Sequence, residues 1–99
     1  MSNPLKGRSF EVDLGPFAPR LTFIDDNQMR LQAQIGPTTV DEVLAADVTT
    51  LRPNLYVVTW TESGGNFIVQ VQDHDSGTVI NRARLADGQM FNVTGTIRA

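Results

Sequence analysis

Apolar residues recur at every second position along most of the chain, in short runs separated by turn-forming residues. This spacing is typical of β-strands that bury one face. In the clearest run Met29, Leu31, Ala33 and Ile35 alternate with polar residues, and the run ends at Gly36-Pro37. The pattern predicts an all-β protein.

Eight runs fit this description, at residues 10–14, 21–23, 29–35, roughly 43–51, 55–62, 67–74, 78–85 and 90–98. Residues 38–42 stay open, because a threonine ahead of Asp41-Glu42 could also begin a helical turn. Short strands with short connections predict one domain over 1–99, a small eight-stranded up-and-down barrel, since closure removes exposed sheet edges. A two-sheet sandwich is the alternative.

Two adjacent runs in the middle of the chain carry the strongest strand signal. The run at 55–62, LYVVTWTE, has the highest β-propensity and places Tyr56, Val58 and Trp60 on one face. In the next run, at 67–74, we predict that Phe67, Val69 and Val71 face the core. Gln70 and Gln72 are predicted to face water.

Composition narrows the function classes. The 99 residues include no cysteine, which excludes disulfides and thiolate zinc sites. Eleven acidic against eight basic residues give a net charge of −3, a poor match for nucleic acid or an anionic membrane. No run approaches the roughly 18 apolar residues of a membrane span, and the start lacks a signal-peptide core. We therefore expect a cytoplasmic protein with neither nucleic acid nor membrane as a partner.

The second half of the chain carries a set of ordered motifs. Residues 51–97 contain LRP-x-LY-x-V-x-W-x-E, then V-x-D-x-x-x-G-x-V, then DG-x-x-x-x-x-x-G. In this order and spacing the motifs resemble MoaF-like proteins. The resemblance implies a lipocalin-like (calycin) barrel and brings no settled activity with it.

The tripeptide Trp60-Thr61-Glu62 also resembles phenolic acid decarboxylases, which share that barrel. The resemblance implies a catalytic role for Glu62. Those enzymes use a pair of tyrosines near the start of the chain, whereas this chain has Phe10 and Val12 there and Tyr56 as its single tyrosine. The fourth predicted strand also lacks their substrate-binding arginine. The shared features are the barrel and one carboxyl group.

Two groups of polar residues could carry chemistry. Trp60 and Glu62 are two residues apart on a predicted strand, so both side chains leave the same face. If Glu62 faces inward, it would lie near the barrel mouth and could act as a hydrogen-bond anchor for a ligand, or as an acid or base. If it already belongs to the turn, it would be a solvated residue without a chemical role. His74 lies between Asp73 and Asp75, but a hairpin turn and the lack of a second histidine predict an exposed turn and no metal site.

Three hypotheses follow for the function. The first is a binding protein that takes a small apolar or aromatic molecule, with Glu62 as the polar anchor. Most of the candidate residues for this site could equally be part of a packed core. The candidate ligand-binding residues are Phe23, Met29, Leu31, Tyr56, Trp60, Glu62, Phe67, Val69 and Phe91. No motif implies a cofactor.

The second hypothesis is an enzyme that uses Glu62 as general acid or base, assisted by Tyr56. Its further inward polar groups would be Asn81, Thr49 and Asp47. The third is an assembly module with a filled barrel and an outer apolar surface at Leu55, Val57, Ile68 and Ile80. We predict a homodimer in any case, because residues 55–58 and 67–69 are apolar on both strand faces.

Overall fold

The computed structural model describes residues 3–99, which form a closed barrel of eight antiparallel strands. The strands are β1 (Ser9–Asp13), β2 (Arg20–Phe23), β3 (Gln28–Ile35), β4 (Thr38–Arg52), β5 (Leu55–Thr61), β6 (Phe67–Asp73), β7 (Thr78–Arg84) and β8 (Met90–Arg98). Each strand pairs with the next, and β1 pairs with β8. The predicted eight-stranded up-and-down barrel is confirmed. Within residues 3–99 there is no helix that could cross a membrane.

Strand β4 begins five residues earlier than the predicted start near residue 43. Gly36 has a positive φ of 59°, which lets the chain reverse over Gly36-Pro37. The reversal pairs Thr38 with Ile35 and Thr39 with Gln34, so the strand starts at once. Residues 38–42, left open by the sequence, are therefore strand.

The two ends of the barrel differ. The capped end holds the loops 24–27, 53–54 and 74–77 and is covered by residues 3–8. There Leu5 is fully buried, and the Gly7 N–H donates to the Phe23 carbonyl over 2.7 Å. The opposite end contains a cavity and is called the cavity end; it holds the loops 14–19, 36–37, 62–66 and 85–89.

One half of the core lies toward the capped end. Its side chains are almost completely buried and are contributed by five strands and the covering segment: Leu5, Phe10, Val12, Leu21, Phe23, Met29, Tyr56, Val58 and Val79. Burying each large apolar side chain contributes about 1.5–3 kcal/mol. This half of the barrel is filled by its own side chains.

Strand β6 has the opposite orientation to the predicted one. Gln70 and Gln72 are buried at 1% and 0% exposure, whereas Phe67 is 45% exposed. The reason is register: Trp60 pairs with Ile68 and Val58 with Gln70, and cross-strand partners share a face. The even-numbered residues of β6 therefore follow the inward residues of β5.

The same register corrects two further placements. Ile68 is buried inside the barrel, so it is not part of the outer surface assigned to it. On β4, Ala46 pairs with Trp60 and faces inward, which turns the neighbouring Asp47 and Thr49 outward, where both are exposed. Asn81 does face inward, as predicted.

Candidate functional site

A cavity of about 270 Å³ occupies the cavity end of the barrel. Its walls are mostly aromatic and aliphatic side chains, among them Phe17, Trp60, Phe91, Leu14, Leu31, Ile35, Val40, Ile68 and Leu85. Four polar side chains also line it: Glu62, Asn66, Gln70 and Asn81. An apolar concavity with a few polar groups is the usual form of a small-molecule site.

Glu62 lies one residue beyond β5, at the wall of this cavity. The Trp60 indole Nε1–H donates to Glu62 Oε2 over 3.1 Å, and the Asn66 side-chain amide donates to Glu62 Oε1 over 3.1 Å. The prediction that Trp60 and Glu62 leave the same face is confirmed. Glu62 is half-buried and held by two neutral donors.

The loop 62–66 fixes the position of this carboxylate. The Glu62 N–H donates to the Asn66 carbonyl, and the Gly65 N–H donates to the Glu62 carbonyl. Gly65 has a φ of 97°, a conformation that favours glycine. Asn66 Oδ1 accepts from the Ala86 N–H over 2.9 Å, which ties this loop to the loop 85–89. The Asn66 side chain is therefore held by the backbone of Ala86 and in turn orients the carboxylate of Glu62.

A stacked aromatic pair forms part of the cavity wall. Phe17, in the loop 14–19, stacks on Phe91 of β8 with ring centroids 5.6 Å apart. The loop is held by the Leu14 N–H, which donates to the Phe17 carbonyl. Strand alternation carries no information on a loop residue, so Phe17 is not among the residues predicted from the sequence.

Buried amides form a hydrogen-bonded chain from the capped end to the cavity. His74 Nε2 lies 3.0 Å from Gln72 Oε1, Gln72 Nε2 donates to Gln70 Oε1, and Gln70 Nε2 donates to Asn81 Oδ1. Asn81 Nδ2 then donates to the Phe91 carbonyl. Because that carbonyl can only accept, the direction of the chain is fixed and His74 carries a proton on Nε2.

His74 lies in the turn 74–77, but its side chain is half-buried against the core of the capped end. Its ring contacts Phe10 and Tyr56 edge to face, with centroids 4.7 and 5.1 Å away. Burial lowers the pKa of His74 below its usual value, and the nearby Arg8 lowers this pKa further. The prediction that His74 lies in a turn is confirmed, but its side chain is half-buried rather than exposed, because the amide chain and two aromatic rings hold the imidazole. No cluster of metal-ligating side chains occurs in the described part of the chain.

One known protein family matches almost the full length of the chain. The MoaF-like family matches residues 6–98, which covers the whole barrel. The chain belongs to the MoaF-like family. The resemblance predicted from residues 51–97 is thereby confirmed and extended to the first half. No curated protein matches the chain.

A solved structure from Burkholderia vietnamiensis, described as a candidate beta-lactamase, has the same fold as this MoaF-like barrel. The two share 20% sequence identity with a TM-score of 0.92, over 100% of this chain and 98% of the other. At this identity the similarity establishes the fold alone.

The MoaF-like barrel brings together only part of the predicted site. Leu31, Trp60, Glu62 and Phe91 line the cavity. Three others are buried in the core outside the cavity lining: Phe23, Met29 and Tyr56. Phe67 and Val69 face outward, so their predicted place in the interior is wrong for the register reason given above.

Tyr56 and Glu62 do not form a catalytic pair. Tyr56 and Glu62 are six positions apart along an extended segment, which corresponds to about 20 Å of chain. Tyr56 packs against His74 toward the capped end, whereas Glu62 lines the cavity at the other end. The predicted assistance of Glu62 by Tyr56 is therefore wrong.

Proposed function

We propose that this MoaF-like protein binds a small apolar or aromatic molecule in the cavity beside Trp60 and Glu62. The observation that carries the proposal is the cavity of about 270 Å³, with aromatic walls and a positioned carboxylate. Its volume is near the lower limit of about 300–1,000 Å³ for ligand pockets, which favours a ligand of one ring with a short chain.

Binding is favoured over acid–base catalysis by the polar groups available. Glu62 is the one ionisable side chain among the described residues that line the cavity; the other polar groups are amides. A carboxylate among amides can orient a ligand, whereas most acid–base reactions use a second titratable group. The proposal needs no cofactor. The expected cytoplasmic location rests on the sequence, including its lack of cysteine.

Filling the cavity is expected to abolish binding. Ala83 lines the cavity on β7, and Ala83→Phe would place a ring in the space that the ligand needs. The probe is the neutral aromatic alcohol 4-phenylbutanol. Wild type should show a saturable change in the fluorescence of Trp60, the single tryptophan, and a rise in melting temperature. Ala83→Phe should show neither.

The matched control is Ala45→Phe, the same substitution on the exposed outer face of β4. This variant should bind 4-phenylbutanol like wild type. Equal binding by both variants, or no response from wild type to this probe and to a panel of other small aromatic compounds, would contradict the proposed function.

We also propose that the protein forms a homodimer through the outer face of β6, β7 and β8. Phe67, Ile80 and Met90 are 45%, 41% and 57% exposed on these strands. Phe67 and Met90 both pair with Arg84 and so lie on either side of it. Covering these side chains would remove apolar surface from water.

Sedimentation equilibrium at tens of micromolar should give twice the chain mass of 10.9 kDa. Ile80→Lys should shift the protein to monomer, whereas Val43→Lys, on the exposed face of β4, should leave the dimer intact. A wild type that sediments at 10.9 kDa would contradict the dimer.

A further inference from the structure

The polar group at the cavity wall is a carboxylate without a positively charged neighbour. The ion pairs among residues 3–99 join Lys6 with Asp26, Arg30 with Asp41, and Glu11 with Arg20 and Arg98; none includes Glu62. None of the described residues that line the cavity is a lysine, arginine or histidine. The charge of Glu62 is therefore balanced by neutral donors only.

Glu62 retains the capacity to bind one more donor. An ionised carboxylate offers about four acceptor sites. Trp60 and Asn66 occupy one site on each oxygen, and both donors are themselves fixed, by the strand and by the Ala86 N–H. A further donor at this carboxylate would meet a group that is already oriented.

The other polar side chains in the lining already have hydrogen-bond partners within the protein. Gln70 accepts from Gln72 and donates to Asn81, and Asn81 donates to the Phe91 carbonyl. The described side chains contain no buried nitrogen or oxygen without a hydrogen-bond partner. Glu62 is thus the group best able to distinguish one ligand head group from another.

The surroundings of Glu62 add further negative charge and aromatic faces. The next residue, Ser63, donates through its N–H and hydroxyl to the carboxylate of Glu42. Trp60 and Phe91 line the same cavity, and aromatic faces attract cations. The negative charge and the aromatic rings would both attract a cationic head group of a ligand. The carboxylate of Glu62 would repel a ligand carboxylate.

We infer that the cavity selects a primary amine or similar small cation carried on an apolar or aromatic body, with the cationic group at Glu62. This inference rests on the proposed function and names its ligand class. The apolar body would lie among the aromatic walls of the cavity. Aromatic acids of similar shape would be excluded.

The test compares three probes of matched shape: 4-phenylbutylamine, 4-phenylbutanol and 4-phenylbutyrate. Isothermal titration calorimetry on wild type should rank the amine first, the alcohol second and the acid last. The amine should bind about tenfold or more tightly than the alcohol, as expected for one charge-assisted hydrogen bond. This preference should shrink as salt is added, because ions screen a partly exposed charge pair.

Glu62→Gln keeps the shape and removes the charge, so it should bring the affinities for amine and alcohol to within about threefold of each other while weakening acid exclusion. Asp47→Asn removes a negative charge from the exposed outer face of β4, so it is the control and should keep the amine first. Melting curves of both variants report that the fold is intact.

The outcomes separate the inference from the proposed function. If the three probes bind equally, or the acid binds best, the charge selection is overturned and the binding function stands. The inference also fails if Glu62→Gln folds and keeps the amine preference. If no probe binds wild type, the inference fails and the binding proposal loses its support together with it.

Discussion

Gly95→Ala is expected to destabilise the barrel by about 3 kcal/mol or more, at the upper end of overpacking costs. A Cβ atom at Gly95 of β8 would overlap the backbone carbonyl oxygen of Asp13 and approach Leu14. Backbone cannot move aside like a flexible side chain. Asp13 is also the last residue of the three-residue pairing between β1 and β8 that closes the barrel.

The control for this substitution is Gly64→Ala. A Cβ at Gly64 meets nothing within 4 Å, and its backbone does not have a positive φ. This variant should be neutral or slightly stabilising, since alanine reduces the freedom of the unfolded chain. Urea denaturation measures both. A Gly95→Ala protein as stable as Gly64→Ala would show that the β1–β8 closure tolerates the extra atom.

Gln72→Leu is expected to lower the free energy of unfolding by about 2–3 kcal/mol, although it replaces a polar core residue by an apolar one. Gln72 is fully buried, donates to Gln70 Oε1 and is bonded to His74 Nε2. Removing it leaves the Gln70 oxygen without its donor inside the barrel. The desolvation cost of that oxygen exceeds the gain from burying leucine.

Gln28→Leu provides the comparison, because Gln28 is an exposed residue of β3 whose backbone hydrogen bonds survive the change. Its effect should stay within about 0.5 kcal/mol. Urea denaturation again gives both values. If Gln72→Leu were as stable as wild type, the amide chain would contribute nothing to the core.

The fold could be predicted from the sequence because its signal is local. The alternation from Met29 onward and the turn at Gly36-Pro37 are properties of neighbouring residues, and short connections favour an up-and-down order. The inward face of β5 was likewise predictable, since Tyr56, Val58 and Trp60 are all large and apolar.

The orientation of β6 could not be predicted in this way. Both of its faces carry plausible core residues, and polarity favours turning Gln70 and Gln72 outward. The decision depends on the register set by the loop 62–66, through the bond between the Glu62 N–H and the Asn66 carbonyl. It also depends on distant partners, His74 and Asn81, which satisfy the buried amides.

The candidate site could be predicted only in part. Trp60 and Glu62 share one strand, so their spacing was sufficient to place them together. Asn66 and Phe17 reach the cavity from loops, where the sequence gives no face. Tyr56 shares a strand face with Trp60, and this pattern predicts that both belong to one site. A strand face runs the full length of the barrel, however, and the cavity occupies only one end.

The most direct test of the proposed binding site is the nitrogen–proton NMR signal of the Trp60 indole N–H during titration with 4-phenylbutanol. This indole is the only one in the chain, and it donates to Glu62 at the cavity wall. We expect a saturable shift of this signal and of the Asn66 side-chain amide, with the signals of Gly7 and Phe10 at the capped end unchanged. An unmoved Trp60 signal, with saturable shifts on the outer strands instead, would contradict the proposed binding site.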